Sequence, residues 1–142
     1  GVKTIFWKVN QKPGKPLYFG KKGGVLVFGL PGNPASVFTC FYEYVFPVLR
    51  LMSGFRDHYL HQEMARIETA VKPDQKKTLF LKARAELNGG RQTVTPLNCQ
   101  GSHMISSLYE ANSFIMLPPN GGVIQKGEKV VTHFLPRGEE RF

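Results

Sequence analysis

The chain has 142 residues, 42% of them hydrophobic, with 19 Lys and Arg against 10 Asp and Glu for a formal net charge of +9. That length holds one domain or one and a half around a buried core, and the charge surplus points to phosphate-bearing or otherwise anionic partners, or to nucleic acid. Two cysteines, no apolar stretch of ~20 residues and no signal-peptide pattern argue against a disulfide scaffold, a cysteine zinc site and a membrane-spanning helix, so a soluble, cytoplasmic protein is expected.

Thr4-Ile5-Phe6-Trp7-Lys8-Val9 reads as a strand. It leads into Lys12-Pro13-Gly14-Lys15-Pro16, where two prolines and a glycine make a stiff, extended loop that presents Lys12 and Lys15 at defined positions. Six lysines (Lys3, Lys8, Lys12, Lys15, Lys21 and Lys22) precede the first acidic residue, Glu43. Such a cluster is either a solvated basic loop or one wall of an anion site. After a short strand, Leu17-Tyr18-Phe19-Gly20, the apolar run Val25-Leu26-Val27-Phe28 reads as a buried strand.

Gly29-Leu30-Pro31-Gly32-Asn33-Pro34-Ala35-Ser36 then turns that strand into a helix, with Gly32 and Asn33 supplying the turn and Pro34 suited to the first helical position. A helix start points free N–H groups and the positive end of the dipole at whatever lies above it, and Ser36 adds a hydroxyl. An ordinary capped connection uses the same residue types. The helix is expected over 35–53, with Phe38, Phe41, Val45, Val48, Leu49 and Met52 as its buried stripe and Gly54 as a left-handed cap. Pro47 removes the hydrogen bond to the Glu43 carbonyl, so a kink or break is expected there. Cys40 on this helix and Cys99 further on read as reduced, mostly buried thiols. His58 and His61 are spaced to share a helix face, which suits a metal but lacks a third ligand nearby. His103 and His133 are isolated.

From about residue 62 the pattern changes to short strands with closely spaced turns, which indicates an all-β unit. Leu79, Leu81, Ala83, Ala85 and Leu87 alternate with Phe80, Lys82, Arg84 and Glu86, giving one apolar and one mostly polar face. Asn88-Gly89-Gly90 supplies the positive φ of a tight hairpin, and 92–97 returns as the partner strand. A short helix is expected over 102–109, capped by Ser102 and closed by Asn112 in a left-handed conformation. Strands at 114–117 and 129–135, with turns at Gly121, Gly122 and 126–128, complete a small sheet or barrel. On the polar face Arg84 offers a planar fork for a tetrahedral oxyanion, or a surface salt bridge with Glu86 or Glu110.

The lysine loop, the strand after it and the Gly-Leu-Pro-Gly-Asn-Pro turn together closely resemble the molybdopterin molybdenumtransferase family, of the MoeA/gephyrin E-domain type. The likeness continues in Gln100-Gly101-Ser102-His103, Ser106-Ser107-Leu108 and Ala111-Asn112. It implies an α/β fragment, the end of a molybdopterin-binding α/β domain over 1–58, followed by a small all-β barrel-like domain over 59–142. It also implies insertion of molybdate into adenylylated molybdopterin by a homodimer, with Mg2+ held by acidic residues upstream of this chain. The residues it assigns to molybdate or molybdopterin are Lys12, Lys15, Pro16, Gly32, Asn33, Ser36, Arg84 and either Ser102 or Ser107. No membrane or nucleic-acid partner is expected on this reading, and the fragment alone should be inactive. The alternative is a basic, non-enzymatic β module for nucleic acid or a partner protein. The aromatics, concentrated in the helix and in strand interiors, count against nucleic acid.

Overall fold

A computed structural model describes residues 1–98 and 106–136. The chain opens with β1 (Lys3–Trp7), a two-residue β2 (Gln11–Lys12), β3 (Tyr18–Lys22) and β4 (Val25–Gly29). β1, β3 and β4 form an antiparallel sheet in the order β1-β3-β4, with Phe6, Phe19 and Phe28 in cross-strand register and ring centroids 5.6 and 4.7 Å apart. The first strand ends earlier than expected because Lys8 adopts φ +72°, which breaks the extended run. The expected burial of 25–28 also fails. β4 is an edge strand of this sheet, Val25 is 65% exposed and its neighbours are only half-buried.

The helical run is continuous but not uniform, with α1 (Pro34–Cys40), a π-helical turn (Phe41–Val45) and α2 (Phe46–Met52). The wide turn lies immediately before Pro47. The Phe46 N–H reaches back to the Phe41 carbonyl, so the run does not break at the proline but passes through a locally widened turn just before it. One inserted residue rotates the following turns by about 100°, which displaces the expected stripe. The buried residues are Ala35, Ser36, Thr39 and Cys40, then Phe46 and Pro47, while Leu49 and Met52 are 41% and 71% exposed. Gly54 closes the run at φ +84°, with the Phe55 N–H on the Arg50 carbonyl at 3.0 Å.

The second unit contains β5 (His61–Ile67), β6 (Thr78–Asn88), β7 (Arg91–Pro96), α3 (Ser106–Glu110), β8 (Ser113–Leu117) and β9 (Lys129–Phe134). Pairing runs β6-β7-β5-β9-β8 and back to β6, a closed five-stranded barrel. Ala65, Ile67, Ala83, Ala85, Val94, Ile115, Leu117 and Val130 fill it. Asn88 pairs with Arg91 across Gly89 and Gly90, at φ +56° and +77°, so the hairpin is the two-residue turn its sequence demands. Asn112 departs from expectation, for Lys8 is the one non-glycine residue with positive φ among those described. The Asn112 amide instead accepts from the Ala85 N–H at 2.7 Å and donates to the Ala85 carbonyl at 2.9 Å, which imitates one more residue pair of the ladder.

Strand pairing and side-chain packing both join the units. Gln11 and Lys12 pair in parallel with Thr78 and Leu79, so β2 occupies the part of the β6 edge that β7 leaves uncovered. Phe46 of α2 packs with Leu60, Phe114 and Leu135, beside a buried hydrogen-bonded pair in which both carboxylate oxygens of Glu43, on the π turn, meet His133 Nδ1 at 2.9 and 3.0 Å.

Candidate functional site

Gly14 brings the lysine loop against the helix. It has φ +93°, and a Cβ there would lie 2.4 Å from Cys40 Sγ and 2.9 Å from Gln11 Nε2, so only glycine lets the loop seat this closely. The Ser36 carbonyl lies 3.8 Å from the same point, which puts Lys12–Pro16 next to the first turn of α1. The loop's carbonyls are consumed internally. Pro13 O accepts from Gln11 Nε2 at 2.9 Å, Gly14 O from the Leu17 N–H at 3.2 Å and Lys15 O from the Val9 N–H at 2.9 Å.

On this frame Lys12, Lys15 and Pro16 are exposed and Ser36 is 7% exposed. Asn33 caps the helix, its side chain accepting the Ala35 N–H at 3.0 Å, and Gly32 stands in open space just before it. Asp74 is the acidic neighbour. The N–H groups of Lys76 and Lys77 hold its carboxyl below the ordinary 3.8, and the charges of Lys77 and Lys12 add to the effect. Beneath the loop, burial followed by the Glu43 charge pushes the Cys40 thiol up to about 11, and burial with the Cys40 and Glu43 charges pushes the Tyr44 phenol up to about 12. Both groups are therefore neutral hydrogen-bonding partners at physiological pH.

Arg84 lies on the outer face with 60% of its side chain exposed, and its Nε bonds Glu86 at 3.1 Å, the surface salt bridge weighed for it from sequence. Two residues earlier on the same strand, Lys82 is 3% exposed and donates to Ser107 Oγ at 2.6 Å. Alternation put both cations on one polar face, but α3 covers the Lys82 end of it. Ser107 is 3% exposed, while Ser102, His103 and Cys99 lie outside the described residues. Arg84 and Asn112 line a cavity of about 480 Å³ with Phe38 and Tyr42 of the helical run. His58 and His61 share no helix face: His58 lies in the connection and His61 opens β5, where it pairs with Glu63 at 2.7 Å. Trp7 contradicts the expected placement of aromatics, because it is 62% exposed with Lys8 Nζ 4.4 Å from its ring centroid.

Residues 64–135 match the family described as the MoeA C-terminal region (domain IV), and residues 1–51 match a probable molybdopterin binding domain. The molybdopterin molybdenumtransferase of Haemophilus influenzae is 34% identical over 127 residues, which covers 88% of this chain and 31% of that protein. The enzyme of the same name from Bacillus subtilis is 28% identical over 131 residues, 92% of this chain and 30% of its own. Among solved structures, the molybdopterin biosynthesis MoeA protein of Pyrococcus horikoshii superposes with a TM-score of 0.75 at 26% identity, over 94% of this chain and 33% of that one. A molybdenum cofactor biosynthesis protein of Pyrococcus furiosus gives the same TM-score and identity over 94% and 46%. The chain thus spans about a third of the length of the curated relatives it matches.

Proposed function

Since the chain belongs to the MoeA family, matching its C-terminal region, we propose that it is the carboxy-terminal part of a molybdopterin molybdenumtransferase and that its lysine loop and helix start hold molybdate. In that role the enzyme inserts molybdenum into the dithiolene of adenylylated molybdopterin, with cleavage of the adenylate. Molybdate is a small dianion, so its selection calls for convergent cations and hydrogen-bond donors. Lys12 and Lys15 supply positive potential, Ser36 and the amides around Gly32 and Asn33 orient the oxygens, and Pro16 keeps the loop extended. From the barrel, Ser107 with Lys82 is the buried donor pair, and Arg84 joins the cage on exchanging Glu86 for the anion. Ser102 stands as an alternative serine donor. No side chain acts as nucleophile, since ligand exchange at the metal carries the bond changes.

The single observation that carries this reading is the contact of Gly14 with Cys40 and Ser36, which holds the lysine loop against the start of α1. Among the described residues no three His, Cys, Asp or Glu side chains converge as a metal site requires, so no step here runs through magnesium; any Mg2+ would be held by residues of the longer enzyme. The working unit is a cytoplasmic homodimer, and the fragment alone is inactive because the site draws on the remainder of the enzyme. Exposed Ile5, Trp7, Leu51 and Met52 offer apolar surface for such contacts. Lys15→Ala and Ser36→Ala in the complete enzyme should weaken molybdate retention with the fold intact, and unchanged retention in both variants would sink the assignment.

A second reading, nucleic-acid binding, is favoured by one feature, the exposed Trp7 under Lys8 beside exposed Lys3, Lys21 and Lys22. Filter binding with oligonucleotides separates the two, since phosphate contacts give a steep linear loss of affinity with log salt.

A further inference from the structure

Under the lysine loop lies a buried hydrogen-bonded cluster that the oxyanion reading does not use. Gln11, at 3% exposure, donates from Nε2 to the Pro13 carbonyl at 2.9 Å and reaches Cys40 Sγ at 3.9 Å, while its Oε1 accepts from the Tyr44 hydroxyl. Cys40 Sγ in turn donates to the Gly14 carbonyl at 3.7 Å. Gln11 of β2 and Cys40 of α1 thus hold two successive loop carbonyls from the protein interior, and Tyr44 of the π turn holds Gln11. The Lys15 carbonyl is held as well, by the Val9 N–H. The Gly14 and Lys15 N–H groups, by contrast, donate to nothing among the described residues.

That asymmetry has an electrostatic meaning. A short segment whose carbonyls are all engaged internally keeps the positive ends of its peptide dipoles for an outside acceptor, the arrangement by which backbone concavities bind anions. We propose that Gln11 and Tyr44 are positioning residues of the oxyanion site. By fixing the Pro13 carbonyl inward they turn the Gly14 amide of the same peptide, beside the Lys15 amide whose Gly14 carbonyl Cys40 and the Leu17 N–H hold, toward a tetrahedral dianion alongside the Lys12 and Lys15 ammonium groups. This rests on the molybdate reading above and adds to it a main-chain ligand set and its support. Tyr44 can do this because its hydroxyl donates to Gln11 Oε1, which leaves the Gln11 Nε2 oriented toward the Pro13 carbonyl and Cys40 Sγ.

The test is a titration of the isotope-labelled complete enzyme, carrying this chain unaltered or substituted, with sodium molybdate, followed through backbone amide resonances. The unaltered chain should show saturable shifts at Gly14 and Lys15. Tyr44→Phe, which removes one hydroxyl and keeps the ring, should raise the dissociation constant about five-fold, the equivalent of one hydrogen bond, at an unchanged melting temperature. Gln11→Glu should bind poorly at alkaline pH and recover as the pH falls, because the protonated acid again offers a donor to the Pro13 carbonyl; recovery of affinity at pH values where the variant is fully folded by its melting curve separates this from a role in folding. If the unaltered chain shifts at Gly14 and Lys15 while Tyr44→Phe and Gln11→Glu titrate identically to it at every pH, the positioning role is overturned and the molybdate reading stands. Saturable shifts at Ser36 and Asn33 without any at Gly14 and Lys15 also overturn it. The absence of any saturable shift in the unaltered chain overturns both.

Discussion

Replacing Glu43 by alanine is expected to cost about 3 kcal/mol of stability, because it strands an imidazole that water does not reach. The two side chains are 7% and 11% exposed, and both carboxylate oxygens lie at 2.9 and 3.0 Å from His133 Nδ1. His133 Nε2 is already buried without a partner, so the substitution would leave both ring nitrogens unsatisfied. Each orphaned group costs about 1–3 kcal/mol, and a hydrogen bond to a charged acceptor contributes about 1.5–3 kcal/mol. At about 3–4 °C per kcal/mol for a chain of this size, the melting temperature should fall by roughly 10 °C. Glu43→Gln keeps an acceptor oxygen and should lose only about 1 kcal/mol. The double variant Glu43→Leu with His133→Phe removes both polar partners and should recover most of the loss; with the single variants Glu43→Leu and His133→Phe it closes a double-mutant cycle with a coupling of about 2 kcal/mol. Urea melts of these variants and the unaltered chain measure all of this. A cost below about 0.5 kcal/mol for Glu43→Ala would refute the reasoning, since the pair would then contribute no more than a solvated surface contact.

Three further outcomes follow from the geometry around the loop. Gly14→Ala should destabilise by about 2 kcal/mol or more, because it combines a positive φ with a Cβ placed 2.4 Å from Cys40 Sγ; a thermal melt at the unaltered midpoint would contradict this. With its thiol pushed up to about 11 by burial and then by Glu43, Cys40 should be thiolate at on the order of one part in a thousand near pH ~8. Site-resolved mass spectrometry should therefore find the Cys40 peptide unmodified by iodoacetamide until the chain is unfolded, and rapid labelling of the folded chain would count against the burial. For Asp74 the folded value lies below the ordinary 3.8, so its contribution is complete above the unfolded value and is lost as pH falls through the lower folded one. Asp74→Ala should flatten that acid limb of stability against pH, and an unchanged limb would show that the Lys76 and Lys77 N–H bonds do not hold the carboxylate.

What could be read from the sequence was whatever local chemistry decides. The alternation along 79–87 and the Asn88-Gly89-Gly90 turn specify β6 and its hairpin, since period and positive φ are properties of a few adjacent residues. Gly54 and the Pro34 start of α1 were legible for the same reason. β5 was not, because His61-Gln62-Glu63-Met64 is outward-facing and polar, with only Ala65 and Ile67 buried by its neighbours. The two-residue β2 carries no periodic signal, and its parallel partner is 67 positions away at Thr78. The lysine loop and Ser36 were legible as candidates through charge and turn chemistry. The burial of Lys82 was not, for it depends on α3 folding over a face that alternation marks as polar for Lys82 and Arg84 alike. The helical stripe went astray through a single inserted residue, which no periodicity over 38–52 reveals.

The pairing of β2 with β6 links the two halves mechanically. The backbone that enters the lysine loop is zipped to the start of the strand that carries Lys82 and Arg84 further along. A displacement at the start of β6 is therefore shared by Lys12 across two rungs of a ladder. Those same rungs cover the β6 edge at Thr78 and Leu79, so a chain that lost β2 would offer them to any passing strand.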